Sequence, residues 1–273
     1  MTDRYAVIGN PIKHSKSPQI HGSFAKATGQ KLEYTAIEGP LGGFAGAVNA
    51  FRDAGGRGMN VTVPFKLEAY ALAGELTPRA RLAGAVNTLK FEAGRILADN
   101  SDGIGLVNDI QRNLGLPLSG KRVLLLGAGG AAHGALLPFL EQRPAELVIA
   151  NRTVGKAKTL AQEIAAHGPV RGGGYADIGG EAFDVVVNAT SASLKGELPP
   201  ISPVVFKADG LAYELAYGMG LTPFLRLARD AGVRRLADGV GMLVEQAAES
   251  FLWWRGVRPE TRAVIDTLTV PLV

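Results

Sequence analysis

The chain has 273 residues, with 29 Lys plus Arg against 25 Asp plus Glu, and no cysteine. A hydrophobic share of 47% and a charged share of 20% are those of a globular protein with a real core, which excludes a mainly disordered chain. The lack of cysteine excludes disulfides, thiolate nucleophiles, zinc–thiolate sites and iron–sulfur clusters.

Short β-like runs alternate with helix-like stretches from the start. Arg4–Ile8 is predicted as a strand. Ser17-Pro18 reads as an N-cap followed by proline, opening a helix with Ile20, Phe24 and Ala27 on one face. Leu32–Ile37 is a strand, and Phe44–Phe51 is a helix that ends near Gly55-Gly56. Met59–Val63 is a strand stopped by Pro64, and Lys66–Leu72 is helical. Asn87–Glu92 and Arg95–Ala98 flank Ala93-Gly94, a hairpin signal. After Gly120 the pattern changes. Val123–Leu126, Leu147–Ala150 and Asp184–Asn188 are continuous apolar strands of the kind buried on both faces, and Gly210–Glu214 and Val233–Leu236 add two more. Helical stretches between them argue for a doubly wound parallel sheet. From Gly241, the residues Met242, Leu243, Gln246, Ala247 and Phe251 mark a long helix that is expected to pack back on the N-terminal half. The reading is therefore an α/β protein of two domains. A mixed-sheet domain takes 1–103 and 240–273, and a dinucleotide-binding domain takes 104–239.

Glycine is in excess, at 36 residues, and it clusters where a backbone would approach a ligand. Gly127-Ala128-Gly129-Gly130-Ala131-Ala132 follows a strand and opens a helix. It fits the G-x-G-x-x-A loop that turns tightly, lets a pyrophosphate approach and packs the helix closely. Helix N–H groups then face the anion. At the end of the next strand, Asn151-Arg152-Thr153 has no carboxylate to accept from a ribose hydroxyl. Arg152 and Lys156 put two cations there instead, which favours NADP over NAD. The alternative is a solvated Arg and Lys at a helix start, where a cation opposes the dipole.

Polar residues beside glycine or proline gather in the first half. Ser15 and Ser17 present two hydroxyls in one loop, a carboxylate site, although Ser17 also suits a plain N-cap. His14 reads as loop packing. Asn60 and Thr62 share one strand face, and Lys66 follows the strand end, where α/β sites sit. Asn87 lies in Ala85-Val86-Asn87-Thr88. Asp102, in Asn100-Ser101-Asp102-Gly103, taken alone is a helix N-cap.

Together these segments resemble the shikimate dehydrogenase family over nearly the whole chain. The matching motifs continue through Asn188-Ala189-Thr190, Thr222-Pro223 and Asp238-Gly239-Val240-Gly241-Met242-Leu243-Val244-Glu245-Gln246-Ala247. The resemblance implies NADP-linked interconversion of 3-dehydroshikimate and shikimate in aromatic amino-acid biosynthesis, with Lys66 and Asp102 as the catalytic pair. Ser15 and Ser17, helped by Tyr217, would hold the substrate carboxylate. Thr62, Asn87, Asp102 and Gln246 would bind ring hydroxyls, with Asn60 nearby. Gly127, Gly129, Gly130 and Ala131 would cradle the pyrophosphate, and Asn151, Arg152, Thr153 and Lys156 the 2′-phosphate. Thr190, Leu215, Gly239 and Met242 would line the nicotinamide pocket. The chain departs from the family at Ser101 for Thr, Lys156 for Arg, Leu215 for Met and Ser193 for Gly. No metal is implied. A relative with quinate activity or NAD preference, or a non-catalytic dinucleotide-binding module, are the competing readings.

No feature points to a nucleic-acid or membrane partner: no run of five like charges occurs, and no apolar run is long enough to span a bilayer. The N-terminus has no signal-like apolar region, so a cytoplasmic location is the default. A homodimer is an assembly that the sequence leaves open.

Overall fold

A computed structural model describes residues 2–272. The chain divides into two compact units, Met1–Gly105 with Val244–Asp266, and Leu106–Leu243 with Thr267–Val273.

The first unit carries strands β1 (Asp3–Gly9), β2 (Leu32–Glu38), β3 (Gly56–Val61), β4 (Glu75–Leu76), β5 (Thr88–Glu92) and β6 (Arg95–Asp99), in the order β2-β1-β3-β5-β6-β4. The sheet is mixed: β1 runs parallel to β2 and β3, whereas β5 is antiparallel to β3 and β6. Helices α1 (Ser17–Thr28), α2 (Phe44–Asp53), α3 (Lys66–Leu72) and α4 (Pro78–Ala83) fall between the strands. Alternation along the strands gives the sheet two apolar faces. On one, Ala6, Ile8, Met59, Val61 and Leu89 pack against Phe44, Val48 and Phe65. The other face carries Tyr5 and Asn60, which meet residues of α1 and of the late helix: Tyr5 stacks on Trp254, and Asn60 bonds to His21 and Ser250.

Helix α5 (Asp102–Asn108) runs into a single π turn at Asp109–Asn113. The second unit then carries β7 (Arg122–Leu126), α6 (Gly130–Glu141), β8 (Glu146–Ala150), α7 (Val154–Ile164), β9 (Val170–Gly173), β10 (Phe183–Asn188), β11 (Phe206–Glu214), α8 (Pro223–Asp230) and β12 (Arg235–Ala237). Every pairing is parallel, in the order β12-β11-β10-β7-β8-β9. The strand order reverses between β7 and β10, and ligands of open α/β sheets bind outside the strand ends at such a point. Buried Leu124, Leu126, Val148, Val186 and Ala212 form the layer beneath Phe224 and Leu225 of α8, and Leu272 packs against the same cluster. Helix α9 (Val240–Arg255) and helix α10 (Arg262–Leu268) complete the chain, and no helix among the described residues is long and apolar enough to cross a membrane.

Several sequence expectations need correction. Ser17 is the first residue of α1 and not its cap: Lys16 holds the cap position without a side-chain bond. The hydroxyl that meets the helix start is that of Ser15, which accepts from Ser17 N at 3.3 Å. Ala27 is exposed, and the buried face is Ile20, His21, Phe24 and Ala25. The strand expected over 59–63 ends at Val61, and that expected over 233–236 runs over Arg235–Ala237. His14 is exposed, not buried in the loop.

Candidate active site

In the first unit Lys66, Asp102, Asn87, Gln246 and Asn60 belong to one hydrogen-bonded network. Strand β3 ends at Val61 and α3 begins at Lys66, so the Lys66 side chain leaves the first turn of a helix just past a strand end. Its Nζ lies 2.5 Å from Asp102 Oδ2, and the two side chains are 30% and 17% exposed, open enough for a ligand to reach. Asp102 opens α5, but its carboxylate does not cap the helix; Asn100 Oδ1 accepts from Asp102 N instead, at 3.1 Å. The carboxylate is thereby free for side chains. Its Oδ1 accepts from Asn87 Nδ2 at 2.8 Å, and that amide also reaches Gln246 Oε1 at 3.4 Å.

The orientation of the Asn87 amide follows from its other end. Asn87 Oδ1 accepts from Ser101 N at 2.9 Å, from Ser101 Oγ at 3.1 Å and from Thr88 Oγ1 at 2.9 Å. A backbone N–H can only donate, so the oxygen must face Ser101 and the NH₂ must face Asp102. Asn60 is engaged on every side: its oxygen accepts from Tyr34 Oη at 2.7 Å and lies 3.2 Å from His21 Nε2. Its nitrogen donates to Asn87 O, Thr88 Oγ1 and Ser250 Oγ. Asn60 therefore braces the strand ends from within. His21 is buried and stacked on Tyr34 with ring centroids 4.2 Å apart, and burial pushes its imidazole down to about 3. Burial also pushes the Tyr34 phenol well above its ordinary value, while a hydrogen bond with Ser17 opposes the rise. Thr62 and Ser15 are half-buried and Ser17 is buried.

The second unit presents a different kind of site. Gly127 begins the turn after β7 with φ +111°, in the region that favours glycine, and an added Cβ would lie 3.1 Å from Ala189 O. Gly129 and Gly130 are exposed, and a Cβ at either would meet nothing within 4 Å. The protein's own packing does not require these two to be small. Open glycines at the N-terminus of the 12-residue α6, with no side-chain cap on its first N–H groups, fit a bound pyrophosphate. Asn151 Nδ2 donates to Thr153 O at 3.0 Å and shapes the turn into α7, while Arg152, Thr153 and Lys156 are exposed. Beside them Arg152, Val154, Tyr175, Ile178, Ser202 and Val205 line a cavity of about 600 Å³. Thr190 N and Oγ1 both donate to Asn188 Oδ1, at 3.1 and 2.7 Å. Leu215 N donates to Asn188 O at 3.0 Å and Gly239 N to Ala216 O at 3.4 Å, which brings Thr190, Leu215 and Gly239 to adjoining strand ends. Met242 N donates to Tyr213 Oη at 3.1 Å. Tyr217, after β11, is 46% exposed, and burial of the rest raises its phenol.

Three family models match in order along the chain: a shikimate dehydrogenase substrate binding domain over residues 7–89, a shikimate/quinate 5-dehydrogenase over 109–195, and a shikimate 5′-dehydrogenase C-terminal domain over 239–269. A shikimate dehydrogenase (NADP(+)) of Nitrosospira multiformis is 59% identical over 98% of each chain. The chain belongs to the shikimate dehydrogenase family. Among solved structures, an Ael1 enzyme from Pseudomonas putida is 62% identical over 100% of each chain with a TM-score of 0.96. The shikimate 5-dehydrogenase of Thermus thermophilus, solved with NADP(H) and shikimate, is 30% identical over 98% of each chain with a TM-score of 0.86.

Sequence reasoning missed the residues that hold the site residues of this family member in place. Tyr34, Thr88 and Ser250 anchor Asn60, and Glu214 anchors Asn188. Ser250 had a signal: it is a polar residue between Ala247 and Phe251 on an apolar helical face.

Proposed function

We propose that this chain catalyses the reversible NADPH-dependent reduction of 3-dehydroshikimate to shikimate, in the biosynthesis of chorismate and the aromatic amino acids. The observation that carries the reading is the Lys66–Asp102 pair, 2.5 Å apart, half-open, and held by the Asn87 amide. Reduction of a ketone needs a hydride at carbon and a proton at oxygen. Bound NADPH supplies the hydride. The Lys66 ammonium gives the proton and stabilises the developing oxyanion. Asp102 holds the ammonium in place through Oδ2 while Asn87 fixes Oδ1. In the reverse direction the neutral Lys66 amine takes the hydroxyl proton.

Ser15 and Ser17 bind the substrate carboxylate, with Tyr217 as a further hydroxyl assigned to it. Thr62, Asn87 and Gln246 bind ring hydroxyls, and Asn60 supports them. On the cofactor side, Gly127, Gly129, Gly130 and Ala131 receive the pyrophosphate. Asn151, Arg152, Thr153 and Lys156 receive the 2′-phosphate, and the apolar cavity beside Arg152 suits a flat purine. Thr190, Leu215, Gly239 and Met242 line the nicotinamide position. The proposal extends to a cytoplasmic location.

The test mixes the purified chain with shikimate or quinate and with NADP⁺ or NAD⁺, and follows absorbance of the reduced nicotinamide. Shikimate with NADP⁺ is expected to give the highest kcat/KM, and the cations at 152 and 156 are expected to favour NADP⁺ over NAD⁺ by at least about tenfold. Absence of signal in all four pairings overturns the proposal.

A further inference from the structure

Glu214, at the end of β11, is fully buried, and no cation pairs with it among the described residues. Four donors meet it instead. Its Oε2 accepts from Asn188 Nδ2 at 3.0 Å, from Thr222 Oγ1 at 3.2 Å and from the Ser193 hydroxyl, while its Oε1 accepts from Ala216 N at 3.3 Å. These donors come from the end of β10, the loop after it, the residue that caps α8 and the segment after β11. Burial pushes the Glu214 carboxyl above the ordinary range, and those bonds oppose the rise.

Asn188 transmits the arrangement onward. Its Oδ1 faces Thr190 N, which can only donate, so its NH₂ is committed to Glu214 and Ser193. The amide accepts on one side and donates on the other, and an acceptor at position 214 fixes that polarity.

We infer that Glu214 is a positioning residue for the cofactor: through Asn188 and Ser193 it holds the Thr190 loop in the form that receives the nicotinamide end. The inference rests on the proposed function, in which Thr190 lines that position. What matters is the acceptor facing Asn188, Ser193 and Thr222. Met in place of Glu214 removes it and leaves buried donors unpaired. Gln keeps it, because the amide oxygen can take the Oε2 position; its nitrogen then faces the Ala216 N–H and gives up only that bond, at 3.3 Å the longest of the four.

The experiment measures KM for NADP⁺, KM for shikimate and kcat in the wild type, Glu214→Met, Glu214→Gln and Thr190→Val, and in Glu214→Met combined with Thr190→Val. Glu214→Met is expected to raise KM for NADP⁺ about tenfold with KM for shikimate within about twofold, and Glu214→Gln to stay within about threefold of wild type. In the Thr190→Val background, Glu214→Met is expected to add no more than about twofold, since both changes break one chain of contacts. An unchanged KM for NADP⁺ in Glu214→Met, or fully multiplicative effects in the double variant, overturns the inference. A loss of kcat alone, with both KM values unchanged, also overturns it, because it marks a smaller folded fraction. If Glu214→Met does not fold, Ser193→Ala carries the test: a rise in KM for NADP⁺ of about threefold supports the inference and no rise overturns it. Wild-type turnover separates the two readings. Its absence ends the proposed function, whereas normal wild-type turnover with an unaffected Glu214→Met ends only the role of Glu214.

Discussion

The two units solve one problem twice and finish differently. In the first, Ser101 N fixes the oxygen of Asn87, and the amide nitrogen is aimed at Asp102. In the second, Thr190 N fixes the oxygen of Asn188, and the amide nitrogen is aimed at Glu214. Both use an asparagine as a polarised link between a backbone N–H and a carboxylate. Asp102 then meets an ammonium and stays partly open, whereas Glu214 meets only neutral donors and is sealed. A carboxylate that holds a half-open ammonium within reach of a ligand can do chemistry. A carboxylate locked among hydroxyls and amides can only hold things still.

Removing the open end of the first link has the largest expected effect. Lys66→Ala is expected to lower kcat at least about a hundredfold, with KM for shikimate affected less, because the proton donor is lost but the amides and hydroxyls around it remain. Steady-state kinetics with shikimate and NADP⁺ check this; near-normal kcat would place the proton donor elsewhere.

The sealed parts of the first unit are tested through pH. His21 is neutral when folded, titrating at about 3, while the unfolded chain takes up that proton near 6.5. The unfolded state therefore binds more protons between those values, and stability present above pH 6.5 is lost as pH falls towards 3. His21→Phe, which keeps a ring against Tyr34, is expected to shrink the stability difference between pH 7 and pH 5 by about 2 kcal/mol. Urea unfolding at the two pH values measures it, and an unchanged difference would mean that His21 is charged in the fold.

The cofactor side of the second unit is expected to respond in the opposite sense, losing function without stability. Gly129 has an extended backbone with open space around it, so Gly129→Val is expected to leave Tm within about 2 °C. The same side chain would fill the room kept for the pyrophosphate and weaken NADPH binding by at least about tenfold. Fluorescence titration and thermal unfolding separate the two quantities, and a fall in Tm with intact binding would reverse the reading of that loop.

The glycine loop was legible because strand, turn and helix signals are adjacent in sequence. The hairpin at Ala93-Gly94 was legible for a similar local reason: both residues take positive φ, 49° and 76°, as a tight two-residue turn requires. Strand β9 was not. Its Val170–Gly173 sequence shows no alternation, and Gly172 is small because α7 crosses it so closely that a Cβ would lie 2.0 Å from Ala157 O. That reason lies in packing, not in local propensity. Pro18 gives Ser17 the look of a cap in the sequence, whereas two residues upstream Ser15 offers the oxygen that meets the helix. Lys66, Asp102 and Asn87 were visible as polar residues in short loops, but their mutual bonds depend on β3, β5 and β6 lying side by side. Glu214 carried no signal, since its donors are brought in from positions 188, 193, 216 and 222 by the fold alone.

The account stands on Lys66 and Asp102 working as one unit. The most direct test compares kcat for Lys66→Ala, Asp102→Ala and the double variant under saturating shikimate and NADP⁺. If the two side chains act together, the double variant falls within about threefold of the worse single variant. If its loss instead equals the product of the two single losses, the residues act independently and the paired mechanism is wrong.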